Sequence, residues 1–199
     1  HTIAALCNIA PDRVLRLTML LHDIAKPACK TVDEKGTCHY YGHPKKGVEM
    51  AKVFFGRLKF DGATRDMVCR LIEWHDDNPP LEEKAIRRAI HKIGTQCYPA
   101  LFQVKRADIL AQSEYEREKK LAYVDAYEKM YDEIMEKGQC LTLKELAVTG
   151  SDLIAAGMKP GKEIGGMLHH LLEVVLEFPE KNTRESLLEI LKSEQKKKI

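Results

Sequence analysis

Met19-Leu20-Leu21-His22-Asp23-Ile24-Ala25-Lys26-Pro27 joins an apolar helical run to two polar side chains and then to a proline. Upstream, Pro11-Asp12 opens a helix that carries Val14, Leu15, Leu17, Leu20 and Leu21 on its apolar side. Proline has no amide N–H and clashes with the preceding turn, so this helix is expected to end near Lys26-Pro27. Adjacent side chains in mid-helix diverge. His22 and Asp23 can therefore converge on one point only near a helix end, where the chain turns. Imidazole and carboxylate without a thiolate suit a hard or borderline divalent metal.

The pattern extends outward from this pair. Residues 28–43 break the helical period, and Thr31-Val32, Asp33-Glu34-Lys35-Gly36 and Thr37 to Tyr41 read as a short hairpin or an ordered loop. Pro44 starts a helix with Val48, Ala51, Val53, Phe54 and Leu58. Asp61 is placed to cap a helix through Met67, Val68, Leu71, Ile72 and Trp74, which Asn78-Pro79-Pro80 ends. Two helices follow over 81–93 and about 96–112. A charged helix over 113–137 carries the stripe Leu121, Val124, Tyr127, Tyr131, Ile134, and Gly138 is its natural stop. Three shorter helices are expected around 142–148, 160–178 and 183–193, with a frayed tail at Lys196-Lys197-Lys198. The expected fold is all-α: a helical core over 1–137 and a C-terminal helical extension over 138–199.

The 199 residues carry a net charge of +2, so a dedicated nucleic-acid grip with a strongly basic stripe is not indicated. The basic excess lies in 1–112, with most of the histidines, and suits a phosphate-bearing ligand. None of the six cysteines forms a CxxC pair, which argues against a thiolate zinc site. They read as reduced thiols of a cytoplasmic protein. No apolar run reaches membrane-spanning length. The first residue is histidine, so upstream residues are expected to have been removed or to lie outside this sequence.

Five elements carry ligand-type residues. His1 begins a helix, His22 and Asp23 end the next, His43 and His75 sit at element ends, and Asp108 lies inside a helix. His1-Thr2, Leu20 to Pro27, Tyr41-Gly42-His43, Ile72-Glu73-Trp74-His75-Asp76 and Arg106-Ala107-Asp108 together resemble the HD superfamily of metal-dependent phosphohydrolases. The resemblance implies one metal held by His1, His22, Asp23 and Asp108. It implies a second role for His43 and His75, as ligands of another ion bridged by Asp23 or as phosphate ligands. The cofactor would be one or two divalent ions among Ni, Mn, Co, Mg, Fe and Zn. Asp23, Lys26, His43, His75 and Asp76 form the expected catalytic set. Lys26 would neutralise a phosphate oxygen or simply be solvated, and Asp76 or Asp77 would orient water or a histidine. The implied reaction is hydrolysis of a phosphomonoester or a 2′,3′-cyclic phosphate. Without a metal, His43 and His75 read as helix-capping, hydrogen-bonded histidines.

A second resemblance covers 138–193. Leu143-Lys144-Glu145-Leu146, Thr149-Gly150-Ser151-Asp152-Leu153-Ile154, Gly157-Met158-Lys159-Pro160-Gly161-Lys162-Glu163-Ile164-Gly165 and Asn182-Thr183-Arg184-Glu185 look like the C-terminal region of bacterial CCA-adding tRNA nucleotidyltransferases and related poly(A) polymerases. That family places its nucleotide-adding carboxylates in an N-terminal head. No such motif is present, so CCA addition is not expected from this chain alone, and the head is expected upstream if it exists. The partners implied are a nucleotide or cyclic-phosphate substrate and tRNA. The rival reading is a non-catalytic tRNA-binding body or scaffold. The turn at Gly157–Gly165 reads equally as helix packing or as an RNA-phosphate site, with Lys159 and Lys162 beside free helix N–H groups.

Overall fold

A computed structural model describes residues 1–197. Eleven α-helices and one two-stranded hairpin are found among them. The all-α expectation holds. The chain separates into two compact units, one formed by 1–78 and 93–128, the other by 79–92 and 129 onward. Lys196 and Lys197, expected to fray, close the last helix of the chain, and Lys198 lies outside the described residues.

In the first unit, α1 (Thr2–Cys7) starts at His1. Asp12 caps α2 (Arg13–Leu21) by accepting from the Leu15 amide, and His22 is the residue that closes the helix. Four residues later α3 (Lys26–Cys29) begins with Pro27 in its first turn. Proline here starts a helix instead of ending one, because the first-turn amides have no intrahelical acceptor to lose. Strands β1 (Thr31–Val32) and β2 (Cys38–His39) pair antiparallel, Thr31 opposite His39. Gly42, at φ +77°, leads into α4 (His43–Arg57). Asp61 caps α5 (Gly62–Trp74) through the Thr64 amide, and His75 closes it. After a 3-10 turn at Thr95–Cys97 comes α7 (Tyr98–Ala111).

Two apolar clusters fix where α2 ends. Met19 and Leu15 pack with Ala5 and Ile9 and with Val104 and Ala107. Leu21 packs instead with Ala51, Phe55, Val68 and Ile72. The last turn of α2 is therefore held on both sides, and His22 behind it has no exposed surface. Gly47 allows α4 to approach closely: a Cβ there would lie 3.3 Å from Ile72 Cγ2 and 3.8 Å from the His22 carbonyl oxygen.

Helix α6 (Glu83–Ile93) belongs to the second unit except for its final residue. Helix α8 (Arg117–Glu136) passes from the first unit into the second. Its Val124, Tyr127 and Ile134 are buried as the stripe requires, with Leu121 and Tyr131 half-buried. Gly138, at φ +57°, follows it. The helix expected over 142–148 is only a 3-10 turn, Leu143–Glu145, in which Thr142 and Glu145 form a capping box. A second box, Thr149 with Asp152, opens the short α9 (Gly150–Ala155). Then come α10 (Lys162–Glu177), a 3-10 turn at Pro179–Lys181 and α11 (Arg184–Lys197).

The second unit is tied by Arg87, buried on α6. Its guanidinium donates to the carbonyls of Leu176 (2.7 Å) and Glu177 (3.2 Å) and to Glu83 (2.9 Å) and Gln139 (3.2 Å). Those carbonyls belong to the last turn of α10, where intrahelical donors run out.

Candidate metal centre

Each candidate ligand residue sits where its element ends or turns, apart from Asp108 inside α7. His1 precedes α1, His22 and Asp23 follow α2, His43 opens α4 and His75 closes α5. Four ring nitrogens are held by backbone carbonyls. His22 Nδ1 is 2.8 Å from the Met19 oxygen, His43 Nδ1 is 2.9 Å from Tyr40, and His75 Nδ1 is 2.7 Å from Ile72. His1 Nδ1 lies 3.4 Å from the Ala111 oxygen. A carbonyl accepts only, so the hydrogen is placed on Nδ1 and the Nε2 lone pair is left free.

Those lone pairs converge. His1 Nε2 is 3.1 Å from His22 Nε2, 3.3 Å from Asp23 Oδ2 and 3.0 Å from Asp108 Oδ1. His22 Nε2 is 3.3 Å from Asp23 Oδ2 and 3.2 Å from Asp108 Oδ1. A second group lies on the other oxygen of Asp23. His43 Nε2 is 3.5 Å and His75 Nε2 3.8 Å from Asp23 Oδ1, and the two nitrogens are 3.3 Å apart. The sequence-predicted residues His1, His22, Asp23, Asp108, His43 and His75 are thus brought together.

This donor set fits a divalent cation. A transition metal sits about 2.0–2.2 Å from N and O ligands, which spaces neighbouring ligands by about 3 Å. Asp23 Oδ1 is buried without a hydrogen-bond partner, the kind of orphan a cation would satisfy. Two Nε2 lone pairs facing each other need a proton or a cation between them. The metal-free electrostatics point the same way. Burial disfavours charge on His22, but hydrogen bonds that its imidazole donates to Asp108 and Asp23 outweigh it and raise its pKa to about 9. Burial also works against the charged form of Asp23, and His22 and Lys26 reverse it, holding the carboxyl well below the usual range. Asp108 is likewise held low by His22 against its burial. Burial pushes His75 down to about 4, so it is neutral at physiological pH.

The other predicted residues fall around this centre or away from it. The Lys26 ammonium donates to Asp23 Oδ2 at 2.7 Å and lies 5.9 Å from the Tyr40 ring centre. Asp76 is exposed and lines a cavity whose wall also holds His75 and Asp108. Lys159 and Lys162 are exposed in the second unit, beside the N-terminus of α10, where Gly161 provides no side-chain cap.

Three supporting residues escaped the sequence reading. Gln112 donates to Asp108 Oδ2 at 2.8 Å, leaving Oδ1 for the cluster. Lys120 donates to Gln112 Oε1 at 2.9 Å. Buried Lys105 donates to the carbonyls of His75 (3.0 Å) and Asp77 (2.5 Å) and to Asn78 Oδ1 (3.2 Å), so it pins the turn after α5. Gln112 lies one helical turn beyond Asp108, a spacing that signals such contact. Lys105 had no local signal.

Residues 45–191 match the family model described as tRNA nucleotidyltransferase domain 2. The chain belongs to the tRNA nucleotidyltransferase family. Over 186 residues it is 31% identical to the CC-adding tRNA nucleotidyltransferase of Thermus thermophilus, an alignment covering 89% of this chain and 40% of that protein. This family member therefore spans about 40% of the length of that relative. His75, Asp108, Lys159 and Lys162 lie inside the family match, whereas His1, His22, Asp23 and His43 precede it. No solved structure matches. No helix among the described residues is long and apolar enough to cross a membrane.

Proposed function

We propose that this tRNA nucleotidyltransferase family member is a metal-dependent phosphohydrolase of the HD type, acting on a phosphomonoester or a 2′,3′-cyclic phosphate. The HD region would be 1–137, with 138–199 as the family's C-terminal helical region. The observation that carries the reading is the convergence of His1, His22, Asp23 and Asp108, with one buried Asp23 oxygen left for His43 and His75. A divalent ion there would lower the pKa of water and polarise a phosphoryl oxygen. The chain's own residues supply the rest. The four imidazoles present Nε2, and Asp23 offers one oxygen to each group. Lys26 balances the charge of that carboxylate and stands ready for a phosphate oxygen. Asp76, at the cavity wall, is placed to hold a proton of incoming water.

Hydrolysis of a nucleoside 2′,3′-cyclic phosphate with added Ni, Mn, Co, Mg, Fe or Zn tests the reading. Turnover that needs the metal and disappears in Asp23→Ala supports it. No turnover with any of these ions contradicts it.

A second reading rests on the other unit. The uncapped start of α10 with Lys159 and Lys162 beside it suits an RNA phosphate, and the relative is a tRNA enzyme by name. The chain would then serve as a tRNA-binding body. Salt-sensitive tRNA binding that weakens in Lys159→Ala and Lys162→Ala would support it; unchanged binding would not. The two readings are compatible.

A further inference from the structure

A cavity of about 410 Å³ opens within the first unit, with His75 and Asp108 in its wall. Small-molecule sites span roughly 300–1,000 Å³, so a nucleotide is a suitable occupant. Ile109, Val124 and Tyr123 give it an apolar side. Lys105, Lys119 and Lys120 bring cationic groups to the same wall.

The three lysines differ in what they have left to give. An ammonium carries three protons. Lys105 directs its protons to three oxygens of the turn after α5 and is structural. Lys119 pairs with Glu116 at 3.1 Å, which offsets its charge. Lys120 gives one proton to Gln112, the same amide that donates to Asp108. Its charge thus stands one amide away from the ligand cluster.

From this arrangement we infer that the cavity is a specificity pocket for a nucleoside phosphorylated at two positions, and that Lys120 reads the second phosphate. The inference rests on the hydrolase reading for where the first phosphate goes, at the ligand cluster. Sugar and base lie against Ile109, Val124 and Tyr123, and the second phosphate meets Lys120. Glu116 opposes that anion and limits its affinity. A free nucleoside bisphosphate and the last nucleotide of an RNA strand share this chemistry.

The test is calorimetric titration of the manganese-loaded protein with adenosine 3′-phosphate, adenosine 3′,5′-bisphosphate and an RNA trinucleotide ending in a 3′-phosphate. The bisphosphate is expected to bind about 10-fold tighter than the monophosphate, the worth of one charged hydrogen bond. Lys120→Met should erase that preference, Lys120→Arg should keep it, and Glu116→Gln should enlarge it. A trinucleotide tighter than the bisphosphate marks a strand end as the source; equal affinity marks a free nucleotide. Equal binding of mono- and bisphosphate, or a preference that survives Lys120→Met, overturns the inference. Turnover of a nucleoside 2′,3′-cyclic phosphate is followed alongside. If turnover is absent while the Lys120-dependent preference persists, the pocket stands and the hydrolase reading falls. If turnover is present without the preference, only the pocket falls.

Discussion

His1 and His22 face each other through their Nε2 atoms at 3.1 Å, while the Nδ1 of His22 is held by the Met19 carbonyl. Neither ring can satisfy the other in its neutral form. The contact is stable only with a proton on His22 or a cation between the rings, and that competition gives the site its pH behaviour.

Metal affinity is expected to rise with pH. His22 holds a proton up to about pH 9 when no metal is present. Below that pH each unit costs about 10-fold in apparent affinity if one proton is displaced. Manganese titrations at pH 6, 7 and 8 check the slope, and a flat profile would argue against proton displacement.

Stability of the metal-free protein should show the opposite slope. His22 has a folded-state pKa above its unfolded value of 6.5, so its contribution is complete below 6.5 and is lost as pH rises toward about 9. Asp23 and Asp108 are lowered, so their contribution is present above about 4 and fades as pH falls further. Melting curves across pH 5 to 9 should therefore decline at the alkaline end without metal and hold with saturating manganese.

Gln112→Leu removes the donor that fixes Asp108 Oδ2. Loss of such an outer partner typically lowers metal affinity by about 10–100-fold. Calorimetry should show the drop with the melting temperature of the metal-free protein little changed.

Arg87→Met leaves the final carbonyls of α10 without donors in a buried setting. The expected loss is about 2–4 kcal/mol in urea unfolding. Metal binding by the folded variant should be unaffected, since every candidate ligand lies in the other unit.

The sequence foretold some of these features because their causes are local. Asp12 and Asp61 cap the helices they precede, since an aspartate reaches only the next few amides. Pro27 misled, because a proline is tolerated in the first turn as readily as it blocks an interior one. Residues 142–148 carried a helical pattern, yet Thr142 and Glu145 complete their hydrogen bonds within a single 3-10 turn. In the site, which residues converge was legible from their types and their orientation was not. The carbonyls of Met19, Tyr40 and Ile72 lie three residues before His22, His43 and His75, a spacing that becomes informative only once the chain is known to turn there. Lys105 reaches His75 across 30 residues, a contact set by packing alone.

The most direct test is manganese titration at pH 8 on the unmodified protein and on His43→Ala, His75→Ala and Asp23→Ala, with bound ions counted by calorimetry. Saturable binding of two ions is expected, falling to one in either histidine variant and to none in Asp23→Ala. Absence of saturable binding, or Asp23→Ala retaining the full count, would contradict a cation shared by these side chains.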